Sequence, residues 1–259
     1  MTKQQLVAGL YLLKPEMFKL SEEEVASQKK AMKAAGEEAD RLAAADQVAG
    51  KWTLLNGRGP VDKIGSGFIT VAPKKGEAYP VTFDHTKDGG QMWTGVAVYK
   101  EMSGDKLFWV AYGTPKTIGL CVYEIKGGSL EGIWYPWYID GAAKNVGTEN
   151  LKGPENLDGQ FTIVSAKAPT TGAAYSGTVT IKLEDIVGAG EWAKPYSITW
   201  MLGTLQIHGI GIRTGNFLFV SAGAGADVNV ARFKIGNGSM TSDWFKLGSK
   251  EMGGSAAMN

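Results

Sequence analysis

Three side chains set the limits of what this chain can do chemically near neutral pH: His85, His208 and Cys121. His85 follows Tyr79, Val81 and Phe83 at a spacing of two, and His208 precedes Ile210 and Ile212 at the same spacing. Alternate residues of a strand share a face, so both imidazoles are expected to point inward, at the mouth of whatever the strands enclose. There an imidazole would anchor the polar head of a bound molecule, or ligate a metal or haem iron. The plainer role is a rim side chain bonded to water or backbone. A metal site needs several convergent ligands, and only one His per barrel is available, so no metal ligand is assigned. Tyr79, Phe83, Tyr196 and Trp200 lie on the same expected inward faces, and with His85 and His208 they make up the candidate ligand-binding set.

Catalytic patterns are absent. The chain has no Gly-x-x-x-x-Gly-Lys-Ser/Thr loop, no His-Glu-x-x-His and no Gly-x-Ser-x-Gly. Gly209-Ile210-Gly211-Ile212 sits in a strand pattern with no helix after it, which does not suit a dinucleotide. Cys121 has no histidine near it in sequence and reads as a small core residue. No catalytic residue is assigned, no cofactor is specified, and a non-enzymatic role is expected.

The elements that must position these residues are written twice. Ser66-Gly67-Phe68-Ile69-Thr70-Val71 returns as Ser176-Gly177-Thr178-Val179-Thr180-Ile181. Tyr123-Glu124-Ile125-Lys126-Gly127-Gly128-Ser129-Leu130 returns as Phe233-Lys234-Ile235-Gly236-Asn237-Gly238-Ser239-Met240. Between them Tyr79-Pro80-Val81-Thr82-Phe83 matches Tyr196-Ser197-Ile198-Thr199-Trp200. A repeat of this length is a duplicated fold. Copy one is expected over 50–156 and copy two over 157–259, each long enough for its own core.

From Gly50 onward apolar and polar residues alternate in short runs broken by Gly-Gly, Asn-Gly and Ser-Gly, the pattern of strands joined by tight hairpins. Strands are expected near 51–56, 67–72, 79–85, 94–100, 106–112, 119–126 and 129–138. The second copy gives 160–165, 176–183, 195–202, 207–213, 216–222, 228–236 and 239–247. Closing each meander on itself removes its edges, so the fold class is all-β, two tandem antiparallel up-and-down barrels. Parity puts Val96, Val98, Ile210, Ile212, Leu130, Trp134, Met240 and Trp244 inside. Ile133-Trp134-Tyr135-Pro136-Trp137-Tyr138 is aromatic on both faces, so Tyr135 and Trp137 either are covered by the barrel–barrel interface or the N-terminal helix, or form an exposed aromatic docking patch. The 8 Trp, 9 Tyr and 9 Phe fall mostly on inward positions, which favours packed interiors over open cups.

Residues 1–49 differ in kind. Ser21-Glu22-Glu23-Glu24 is a capping-box pattern ahead of an Ala-, Glu- and Lys-rich stretch, which predicts an N-terminal helical segment. Leu6–Leu13 is too short to span a bilayer and has no cleavage site after it, so no transmembrane segment and no signal peptide are expected. With one Cys the default location is cytoplasmic. Lys plus Arg total 27 against 26 Asp plus Glu, which leaves no basic footprint for nucleic acid.

Gly50-Lys51-Trp52, opening the first barrel after a helical lead-in, resembles the Gly-x-Trp start of lipocalins and the wider calycin group. In copy two Gly159-Gln160-Phe161 keeps the aromatic and loses the Trp. The resemblance implies up-and-down barrels, the avidin-like ones being nearer in length, that hold a small apolar ligand. The biotin-binding residues of avidin have no counterparts in this chain. The function expected is therefore a binding protein for a small hydrophobic or amphipathic molecule. The alternatives are a scaffold that forms homo-oligomers through its N-terminal arm and aromatic strand, and an enzyme on a calycin-like barrel.

Overall fold

The computed structural model describes residues 48–58, 63–64, 67–86, 90, 92–113, 117–136, 146–190, 193–223 and 227–259. All but the last two residues of the expected helical segment 1–49 lie outside this set, as do Trp137 and Tyr138.

The first copy forms β1 (Gly50–Arg58), β2 (Lys63–Ile64), β3 (Gly67–Val71), β4 (Ala78–Asp84), β5 (Met92–Met102), β6 (Asp105–Gly113), β7 (Thr117–Lys126), β8 (Ser129–Pro136) and β9 (Gly147–Lys152). The second forms β10 (Gly159–Lys167), β11 (Thr178–Leu183), β12 (Lys194–Leu202), β13 (Leu205–Thr214), β14 (Phe217–Gly223), β15 (Val228–Ile235), β16 (Ser239–Lys246) and β17 (Gly253–Met258). These strands close into two antiparallel barrels of eight, with β2 as an added strand along β1.

The barrels are not the two copies. Barrel one runs β1-β3-β4-β5-β6-β15-β16-β17 and returns to β1, whereas barrel two runs β10-β11-β12-β13-β14-β7-β8-β9 and returns to β10. Each copy lends its last three strands to the other's first five. The expected boundary between 156 and 157 thus marks a sequence repeat and not a barrel, because β9 and β10 on either side of it are neighbours in barrel two. The physical reason is the likeness of the copies. Phe108 of β6 faces Phe233 of β15, and Leu218 of β14 faces Tyr123 of β7, so each strand finds in the other copy the ladder its own copy would offer.

The exchange builds a third core between the barrels. Barrel one is filled by Trp52, Phe83, Phe108, Phe233 and Trp244 among others, and barrel two by Tyr123, Trp134, Phe161, Tyr196 and Trp200. The seam holds Val96, Val98, Trp109, Tyr135, Ile210, Ile212, Phe219 and Phe245. Trp109 and Phe219 occupy matching positions of the two copies and stack face to face at 3.9 Å and 1°. Strand β6 is accordingly buried on both faces, Phe108, Val110 and Tyr112 inward and Leu107, Trp109 and Ala111 into the seam.

Two expectations about facing fail for this reason. Val96, Val98, Ile210 and Ile212 lie in the seam, and the inward positions of β5 and β13 go to Ala97 and to glycines. A Cβ on Gly209 would sit 3.0 Å from the Trp200 ring, and one on Gly95 would sit 2.2 Å from the Ala111 carbonyl oxygen. Where both faces of a strand are buried, apolar parity no longer identifies the interior. Tyr135 is covered in the seam, which answers the need for a cover on that aromatic strand. The eighth strand of each copy, β9 and β17, carries Gly147, Glu149 and Leu151 or Gly253, Ser255 and Ala257 inward, too weak an alternation to read as a strand.

Candidate functional site

Trp52, of the Gly-x-Trp opening, is buried in barrel one and donates its indole N–H to the Val48 carbonyl at 3.0 Å. Phe161 fills the matching place in barrel two. Of the expected ligand-binding residues of barrel one, Tyr79 lies inside at the start of β4, and Phe83 lies inside at its other end, where it lines a small cavity together with His85. Tyr79 meets Phe108 edge-on at 5.4 Å and Phe83 lies 4.5 Å from Tyr112. His85 is 7% exposed and edge-on to Trp93 at 5.2 Å, in a space that only glycine leaves open, since a Cβ on Gly90 would lie 2.8 Å from the His85 Cβ. The cavity that His85 lines with Phe83, Trp93 and Tyr112 measures about 10 Å³, room for one water at most. The interior of barrel one around His85 is filled.

His208 is not an inward residue. Its parity partners Ile210 and Ile212 face the seam, and beyond the seam the same face is open to solvent, so His208 is exposed on the outer wall. Its Nδ1 lies 3.3 Å from Oγ1 of Thr199, its cross-strand neighbour. Tyr196 and Trp200 lie inside barrel two, as expected, but without a histidine.

What they share barrel two with is a carboxylate. Glu149 on β9 is wholly buried. Its Oε1 accepts from the indole N–H of Trp200 at 3.0 Å and from the Tyr123 hydroxyl, and its Oε2 accepts from the Tyr175 hydroxyl at 2.8 Å. Gly132, opposite Glu149 on β8, lets the Tyr123 ring approach; a Cβ there would stand 2.6 Å from it. Tyr175 reaches in from the β10–β11 connection and is only partly buried. Trp134 packs on Trp200 at 5.5 Å.

Burial pushes the Glu149 carboxyl above its usual value of 4.5, against the three donors, which favour the charged form. Burial, reinforced by the charge of Glu149, likewise raises the Tyr175 hydroxyl and the Cys121 thiol. Cys121 is a buried core thiol whose environment favours the protonated form. The cluster offers one acceptor-rich group in an aromatic enclosure, suited to holding a donor or a cation.

The matching positions of barrel one carry different chemistry. Ser242 and Ser255 face each other as Gly132 and Glu149 do, with hydroxyls 2.6 Å apart; Phe83 stands where Trp200 does, and Phe233 where Tyr123 does. Sequence reasoning missed Glu149 because its strand was missed. Its signal was a charged residue on inward parity, visible once β9 is aligned with β17.

Among the described residues no helix is long and apolar enough to cross a membrane, and no three His, Cys, Asp or Glu side chains gather as a metal site would require. A scan of protein-family models gives no match to this chain, and neither does a search of curated proteins or of solved structures.

Proposed function

We propose that this protein is a non-enzymatic binding protein whose second barrel holds a small amphipathic molecule, its polar head at Glu149 and its apolar body against the surrounding rings. The observation that carries this reading is the difference between the two barrels. A buried carboxylate is costly even when hydrogen-bonded. Barrel one closes with Ser255, Phe83 and Phe233 where barrel two has Glu149, Trp200 and Tyr123, so the fold itself does not require the acid. Duplicated barrels that differ in one buried acceptor fit a division of labour between support and binding. The calycin resemblance of Gly50-Lys51-Trp52 leans the same way.

The enclosure sets the ligand's head group. Oxygens that accept from Tyr123, Tyr175 and Trp200 will accept from an ammonium, and four aromatic rings add cation–π attraction. Tyr175 is the only member brought in by a connecting loop, so it is the group a ligand's head displaces. A scaffold role is the second reading, favoured by the seam core and by the filled interior of barrel one.

Titration of the full chain with a medium-chain alkylamine, followed by tryptophan emission, tests this. A saturable change is expected, about tenfold weaker in Glu149→Gln and unaltered in His208→Ala. A fatty acid of the same length serves as the anionic control. No saturable response to the amine, or equal affinity in Glu149→Gln, overturns the reading.

A further inference from the structure

A second site lies outside both barrel interiors. The β5–β6 hairpin of barrel one and the β13–β14 hairpin of barrel two meet at the seam; a Cβ on Gly215 would stand 3.9 Å from the Met102 methyl group. Between them, over the outer wall of β15, opens a cleft of about 460 Å³, lined by both hairpin tips, Lys194 and Arg232. This is the size of a small-molecule pocket.

Three cations face this cleft, Lys194, Arg213 and Arg232, with one carboxylate, Asp105. The charges nearby are largely matched. Asp105 is engaged by Lys234 at 2.6 Å, and Arg232 by Asp243 at 3.2 Å. Lys194 and Arg213 have no ion-pair partner among the described residues. The Arg213 Nε donates to the Gly215 carbonyl at 3.3 Å, which orients the guanidinium and leaves its terminal N–H groups for another acceptor. Ser103 and Thr214 add a hydroxyl from each hairpin tip.

We propose that this cleft binds a small multivalent oxyanion of the pyrophosphate or phosphate-ester type. Arginine's planar fork suits two oxygens of one phosphate, lysine supplies a point charge for the next, and the hydroxyls donate to the remainder. The cleft brings together three cations over a small volume, which fits a small anion better than a nucleic acid. The site is made by strands of both barrels at the seam, and it stands independently of Glu149.

Isothermal titration of the full chain with pyrophosphate and with inorganic phosphate decides the matter. Saturable pyrophosphate binding is expected, tighter than phosphate and weakened by added sodium chloride as screening requires. It is expected to fall about tenfold or more in Lys194→Gln/Arg213→Gln. The milder Arg213→Lys keeps the charge and loses the fork, so a clear loss there points to bidentate binding even if the double variant folds poorly. Glu149→Gln is expected to bind pyrophosphate as the parent does, which separates this site from the barrel. Absence of binding at millimolar pyrophosphate, or affinity unchanged in both cleft variants, overturns the proposal.

Discussion

At the scale of residues, Glu149 is a buried carboxyl whose titration couples to folding. Its carboxyl is raised in the folded protein, first by burial. Below the usual 4.5 it is protonated in both states, and the folded protein keeps its full stability. As pH rises, the unfolded chain releases the proton first, and stability is lost until the pH passes the raised folded value. Glu149→Gln abolishes this slope because an amide does not titrate. Urea unfolding from pH 4 to pH 8 is expected to show the variant gaining on the parent as pH rises. A difference that is flat with pH, or grows in the opposite sense, contradicts a raised Glu149. His208 illustrates the other side of residue-scale reading. Its spacing with Ile210 and Ile212 was correctly seen as one face, but that face belongs to the seam and then to solvent.

At the scale of elements, the strands were legible wherever a buried and an exposed face alternate. The expected strands 67–72, 79–85 and 176–183 correspond to β3, β4 and β11, displaced by at most two residues at either end. The strands β9 and β17, whose inward residues are small or charged, were not read, and at β5 and β13 the strand was read but its inward face was not, because the seam buries the outer face as deeply as the barrel buries the inner one. Periodicity reports burial, not the name of the core that does the burying. The seam is also where one element's contribution can be weighed. Trp109 is fully buried and stacked on Phe219. Trp109→Ala is expected to cost about 3 to 5 kcal/mol in urea unfolding, transfer and cavity together. A loss under about 1 kcal/mol would mean that the seam closes without the stack.

At the scale of the whole molecule, the duplication was legible but the exchange of strands was not. Identical ladders are available within a copy and between copies, so matched segments such as Tyr123–Leu130 and Phe233–Met240 carry no preference between the two arrangements. What distinguishes them is the seam formed once β7 and β15 cross over, a property of the assembled chain and not of any segment. The candidate site follows the same pattern. Tyr196 and Trp200 were found by parity, whereas Glu149, Tyr123 and Tyr175 come together only because β7, β8 and β9 of copy one complete a barrel begun by copy two. We propose that this composite barrel holds a small molecule at Glu149. Native mass spectrometry of the gently purified full chain, set against its denatured mass, tests it most directly. A mass excess that disappears on denaturation and is missing from Glu149→Gln is expected; a bare chain, or an excess that Glu149→Gln retains in full, rules the Glu149 site out.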